Sequence, residues 1–210
     1  MKLPSHIFVI HPSYCIDSQD RFPRIISDIK DANLENKTIG VQIPAVLPYI
    51  EHYEFEPTHT MIDRIVSALS SCDYNLLALE NQELWDRSAA LGIVSKLAYG
   101  EMNNIDFYRM ASRASLNSDL VSASKAHTGE VAEAKMYRKW QEIVRTAGDY
   151  RQQKLSRTCI SAHINNYARM RWQHIDSCIA QERVDALILT PEHVKLVIER
   201  YPKRDLRIYQ

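Results

Sequence analysis

The sequence predicts an α/β protein: a mostly parallel sheet flanked by helices, with a large helical insertion before the last strands. Three observations carry this. Over the first 80 residues, short runs of β-branched and aliphatic residues alternate with amphipathic helical stretches, the pattern of strand–helix–strand units whose strands run parallel. From about Gln82 to Ala180 no strand-like run occurs, and after residue 183 the alternation returns. The 210 residues include only five glycines, which disfavours turn-rich sandwiches and barrels and favours long regular elements.

The elements follow in order. His6–Ile10 is a short apolar run bounded by His11 and Pro12, the signature of a buried strand. Asp17 and Ser18 can cap a helix over about residues 19–32, whose Phe22, Ile25, Ile26 and Ile29 share one face. Thr38–Ile43 is a second strand, closed by Pro44 and Pro48. Thr58 can cap a helix over about 60–71, with Met61, Ile62, Ile65, Val66 and Leu69 inward. Tyr74–Leu79 is a third strand. Leu84–Tyr99 reads as helix, and the polar Asn103–Leu120 as a short helix and a loop. Thr128 and Glu130 open a strong helix to about Ala147, where Gly148 marks a break. Arg151–Gln181 is a long helix with Leu155, Cys159, Ile160, Ile164, Tyr167, Ile175 and Ile179 among its inward positions. Val184–Leu189 is a strand. Thr190 then caps a helix with Pro191 at its first position, and Val194, Leu196, Val197 and Ile198 form its buried side. Leu206–Tyr209 is the last strand, expected to pair in the same sheet as His6–Ile10 or its neighbours. Residues 1–81 and 183–210 thus form a sheet core, and 82–182 a helical insertion.

Net charge is zero, but the charges are divided. Residues 1–106 carry 15 acidic and 8 basic side chains; residues 107–210 carry 11 and 18. Between Lys135 and His174 there are nine bases and two acids, with Tyr137, Trp140, Tyr150, Tyr167 and Trp172 among them. Lys135, Arg138, Lys139, Arg145, Arg151, Lys154 and Arg157 fall at helical spacings, which suits phosphate contact with some base stacking. The other reading is that these bases pair with the acidic half, within a monomer or across an oligomer. The four cysteines show no C-x-x-C spacing, as expected of reduced thiols. Cys159 and His163 are four apart, as are His174 and Cys178, but on one helix the pairs would sit about 16 Å apart, too far for one ion. No secretory leader and no apolar run of membrane-spanning length is seen, so a soluble, cytoplasmic protein is expected.

No glycine-rich phosphate loop follows the first strand. His11 stands at that strand's carboxyl end, the edge where open α/β sheets bind ligands. It is a candidate general base or phosphate donor, or a loop histidine. Arg21 and Arg24 could hold phosphate, or be solvated helix residues. Glu80 ends the third strand. It is a candidate catalytic acid, or a ligand for a divalent cation, Mn or Mg, which would need further oxygen ligands. In the other reading Glu80 and Glu83 are first-turn helix acids favoured by the helix dipole.

These segments resemble family 25 glycosyltransferases, the group of lipooligosaccharide-type sugar transferases. The resemblance lies in Ile7-Phe8-Val9-Ile10, the Asp20-Arg21 pair, Arg24-Ile25-Ile26, the words Ile43-Pro44-Ala45-Val46, the strand Asp73–Glu80 and the late Leu189-Thr190-Pro191-Glu192. Asn81 and Gln82 stand where the family has two aspartates. The resemblance covers about 80 N-terminal and 25 C-terminal residues. It implies a nucleotide-sugar site, with Arg21 and His11 facing the diphosphate and Glu80 holding the metal or the ribose. The function expected is therefore glycosyltransferase-like, active or degenerate. The alternative is a non-enzymatic nucleic-acid-binding or regulatory protein that uses the basic helices 135–174.

Overall fold

Ile7, Phe8, Val9 and Ile10 are all buried, yet they serve two different cores. Phe8 and Ile10 pack on one face and Ile7 and Val9 on the other, as the period of two of a strand requires. A computed structural model of the chain describes residues 4–10, 22–34, 36–43, 65–66, 68–69, 74–125, 131–202 and 205–209. Its five strands are β1 (His6–Ile10), β2 (Thr38–Val41), β3 (Asn75–Ala78), β4 (Ala186–Leu189) and β5 (Asp205–Tyr209). They form one sheet, all parallel, in the order β3-β2-β4-β1-β5. The α/β class read from the sequence is the class observed.

Six helices are described: α1 (Phe22–Asp31), α2 (Gln82–Tyr99), α3 (Asn104–Lys125), α4 (Val131–Gln152), α5 (Arg157–Glu182) and α6 (Val194–Arg200). Residues 65–66 and 68–69 are helical too. The chain forms two compact units. The sheet unit comprises Met1–Pro44, Glu54–Glu80 and Trp172–Gln210; the helical unit comprises Ala45–Tyr53 and Asn81–Arg171.

In the sheet unit, α1 places Ile25 and Ile29 on the face holding Phe8, Ile10, Ile39, Val41 and Ile188. The other face, with Ile7, Val9, Leu187 and Leu189, is covered by Ile175 and Ile179 of α5 and Val197 of α6. The crossover that follows β1 and the crossover that follows β4 therefore lie on opposite faces, while β1 and β4 are neighbours. That is a switch point of the strand order, and the crevice at its carboxyl end is where sheets of this type bind ligands. Gly40 of β2 sits under this second face. A Cβ there would meet Leu79 Cδ1 at 2.8 Å and Val184 Cγ1 at 3.0 Å, so no larger residue fits without displacing the core.

In the helical unit α4 packs against both α2 and α3. Trp85, Leu91 and Ile93 of α2, Phe107 and Met110 of α3, and Tyr137, Trp140 and Ile143 of α4 are buried. Asn81 caps α2, its Oδ1 accepting from Leu84 N–H at 3.1 Å. Gly100 ends the helix in the left-handed region, at φ 79°, where a glycine carries no Cβ penalty.

Several elements differ from the sequence reading. Asn104–Leu120 belongs to one 22-residue helix, with Asn103 just before it, rather than to a short helix and a loop. Its polar surface hid a buried face of Phe107, Met110 and Ala114. Gly148 does not break α4, which runs on to Gln152; one glycine inside a helix costs only about 1 kcal/mol, and Val144 and Ala147 are buried beside it. Thr190 does not cap a helix. A 3-10 turn, Pro191–His193, intervenes before α6 starts at Val194. In that seven-residue helix Leu196 and Ile198 are exposed while Val197 is buried, because fewer than two turns of apolar residues cannot define one face. Cys159 is exposed too, off the inward stripe of α5. The capping residues expected at Asp17, Ser18, Thr58 and Thr128 lie outside the described residues, as does most of the helix expected over 60–71.

Candidate functional site

At the carboxyl edge of the sheet the backbone pairing runs on past the strands. Gln42 N–H donates to Ile188 O at 2.9 Å, Leu79 N–H to Val41 O at 2.9 Å, and Glu80 N–H to Ile43 O at 3.1 Å. This extra pairing fixes Gln42 and Glu80 side by side, and both are buried, as are Thr190 and His193. Polar side chains of this kind are seldom buried unless hydrogen-bonded. Here three strands and the 3-10 turn bring them together. Gln42 Oε1 accepts from Thr190 N–H at 2.9 Å. Gln42 Nε2 donates to Glu80 Oε1 at 3.2 Å and lies 3.0 Å from His193 Nδ1. The Trp172 indole stacks on the His193 ring, with centroids 5.7 Å apart. Thr190 Oγ1 is buried without a hydrogen-bond partner among the described residues.

Glu80 is therefore not a first-turn helix acid. It lies before the cap residue Asn81, and it is held by the sheet rather than by α2. Glu83 is the first-turn acid, paired with Arg87 at 2.7 Å. The described residues of this edge do not assemble a divalent-cation site. Glu80 Oε1 takes an amide N–H, the Asn81 oxygen is used in the cap, and Gln82 donates to Asp86 at 2.9 Å. Among the described residues no group of three His, Cys, Asp or Glu side chains converges as a metal site. His11 and Arg21 lie outside the described residues. Arg24 is exposed in the first turn of α1. Sequence reasoning missed Gln42 and His193, whose partners lie 38 and 151 residues away along the chain.

The basic residues of the helical unit have varied surroundings. Lys139 is bound by Asp86 at 3.0 Å and Glu142 at 2.8 Å. Partial burial opposes its charge, but those two carboxylates outweigh it and hold the ammonium above its usual range. Burial likewise lifts the Asp86 carboxyl, against the pull of Gln82 and Lys139. Arg151 lies over the Tyr108 ring at 4.9 Å and donates to Tyr108 Oη at 2.9 Å and Asn104 Oδ1 at 3.2 Å. Arg157 donates to Ala98 O at 2.8 Å and stacks over Tyr99. Arg138, Arg145 and Lys154 are exposed; Lys135 lies in α4. Of the interleaved aromatics, Tyr137 and Trp140 are core residues. Tyr150 and Tyr167 are hydrogen-bonded to each other: burial and that bond push Tyr150 up to about 12. Burial would raise Tyr167 as well, but its hydrogen bonds with Arg87 and Tyr150 win and lower it. Between α3 and α4 lies a cleft of ≈ 650 Å³ whose lining includes Phe107, Tyr108, Arg138, Glu142, Arg145 and Asp149. Two arginines and two acids leave its charge balanced.

No helix among the described residues is long and apolar enough to cross a membrane. No protein-family model matches the chain, and no curated protein matches it. Among solved structures, an erythromycin esterase variant in its open conformation aligns over 98% of this chain and 69% of its own, at 12% identity and a TM-score of 0.36. A likeness at that score carries no argument about fold or activity.

Proposed function

We propose that the protein is a glycosyltransferase-like enzyme that acts on a nucleotide sugar at the carboxyl edge of its sheet. One observation carries this reading: the buried Gln42–Glu80–His193 array beside the β1/β4 switch point. A core built for stability alone would place apolar side chains there, since each buried polar group must be compensated. In this reading Glu80 is the acid–base residue. His11 and Arg21 contact the diphosphate, as the resemblance to family 25 glycosyltransferases implies, and Arg24 is a further candidate for holding phosphate.

E80Q tests it. The introduced amide oxygen can still accept from Gln42, so stability should change by less than about 1 kcal/mol. Turnover of the nucleotide sugar should fall about 10²–10⁴-fold, the usual contribution of a general acid or base. Calorimetry and a nucleotide-release assay read both. Absence of binding of any nucleotide sugar to the wild-type protein would remove the reading.

A second reading, binding of nucleic acid by the helical unit, is favoured by the exposed Arg138 and Arg145 beside Tyr108 in the α3–α4 cleft. It places the ligand on the helical unit rather than at the sheet edge, and mapping where a ligand lands separates the two.

A further inference from the structure

We infer that Gln42 is a positioning residue that holds His193 as the neutral Nε2–H tautomer and keeps it apart from Glu80. Thr190 sets the orientation of the Gln42 amide. Its backbone N–H can only donate, so the Gln42 atom 2.9 Å away must be the amide oxygen. The other terminal atom is then the NH₂ group, which can only donate. It faces two atoms, Glu80 Oε1 at 3.2 Å and His193 Nδ1 at 3.0 Å, and its two hydrogens match them. His193 Nδ1 must accept and so carries no proton. The ring is neutral, with its hydrogen on Nε2. Turning the amide over would set oxygen against a carboxylate and NH₂ against a backbone N–H, two repulsions with at most one bond kept, from a protonated Nδ1.

The consequence is chemical. Glu80 and His193 both touch one nitrogen, so their contacting atoms lie within about 6 Å of each other. A carboxylate and an imidazole at that separation, with nothing between them, would pair as ions. The amide stands between them, donates to both, and so holds the imidazole as a neutral base. Trp172 stacked on the ring restricts its rotation. As a role in catalysis this rests on the reading of the edge as the functional site; as a statement about His193 it stands alone.

The test is the side-chain ¹⁵N spectrum of histidine-labelled protein, with the His193 signals identified by their loss in H193Q. Wild type should show Nδ1 unprotonated and Nε2 protonated near neutral pH. In Q42E the carboxylate that replaces the amide must accept on both sides, so the His193 proton should move to Nδ1 or the ring become imidazolium. A wild-type ring protonated on Nδ1, or an unchanged tautomer in folded Q42E, overturns the inference. If Q42E does not fold, the wild-type spectrum decides. The predicted tautomer in a protein that binds no nucleotide sugar would remove the proposed function and leave this inference standing.

Discussion

Tyr201 shows how a single residue ties pH to stability. It is buried at the end of α6 and donates to Asp176 Oδ1 at 3.0 Å. Burial, reinforced by the Asp176 charge, pushes its phenol from 10.0 up to about 12. The folded state thus favours the neutral phenol. This contribution is whole below pH 10, the unfolded value, and is lost as pH rises from 10 through 12. In Y201F the alkaline fall in stability between pH 10 and 12 should be shallower than in wild type, which denaturant melts along the pH series would show; parallel curves would contradict it. At this scale the sequence was partly legible. The place of Glu80 at the end of a strand was legible because a strand run and its end are local information. Gln42, Thr190 and His193 were not found as partners, because nothing in a glutamine after a valine reports a histidine 151 residues away. Lys139 reads as a surface base, and only the fold shows Asp86 beside it.

Strands were the most legible elements. Each of the five apolar runs forms a strand, because each is bounded by turn residues and rich in β-branched or aliphatic side chains. Helix limits were less legible where tertiary burial overrode local signals, as at Gly148 and along α3. The last strand shows what one element contributes. β5 pairs with β1 over five residues, from His6↔Asp205 to Ile10↔Tyr209. Tyr209 is buried, and its hydroxyl donates to Asp28 Oδ2 at 2.9 Å. Truncation after Pro202 would strip β1 of one neighbour and uncover the α1 face. Burial of one large side chain alone is worth about 1.5–3 kcal/mol, so the sheet unit should lose at least about 2 kcal/mol and melt earlier throughout. A truncated protein with an unchanged cooperative melt would show that β5 adds nothing to the core.

At the scale of the whole molecule, the charge division along the sequence is not the division the fold makes. The chain leaves the sheet unit after Glu80 and returns at Trp172, so acidic and basic stretches are interleaved. The sheet unit holds 12 bases and 16 acids, and the helical unit 14 and 10. An imbalance of seven charges along the sequence becomes one of four in space. Asp86 pairs with Lys139 inside one unit, and Asp28 with Arg207, at 3.7 Å, inside the other. The basic stretch is thus used in part within its own unit, and Arg138 and Arg145 line a cleft together with Glu142 and Asp149. Ligand binding is proposed at the sheet's carboxyl edge. Amide NMR during titration with UDP-glucose, and separately with a short single-stranded oligonucleotide, tests it most directly. UDP-glucose is expected to shift the Thr190 backbone amide and the Gln42 side-chain amide while Arg138 and Arg145 stay put. Shifts confined to Arg138, Arg145 and their neighbours on α4, with Gln42 and Thr190 unmoved by either ligand, would contradict it.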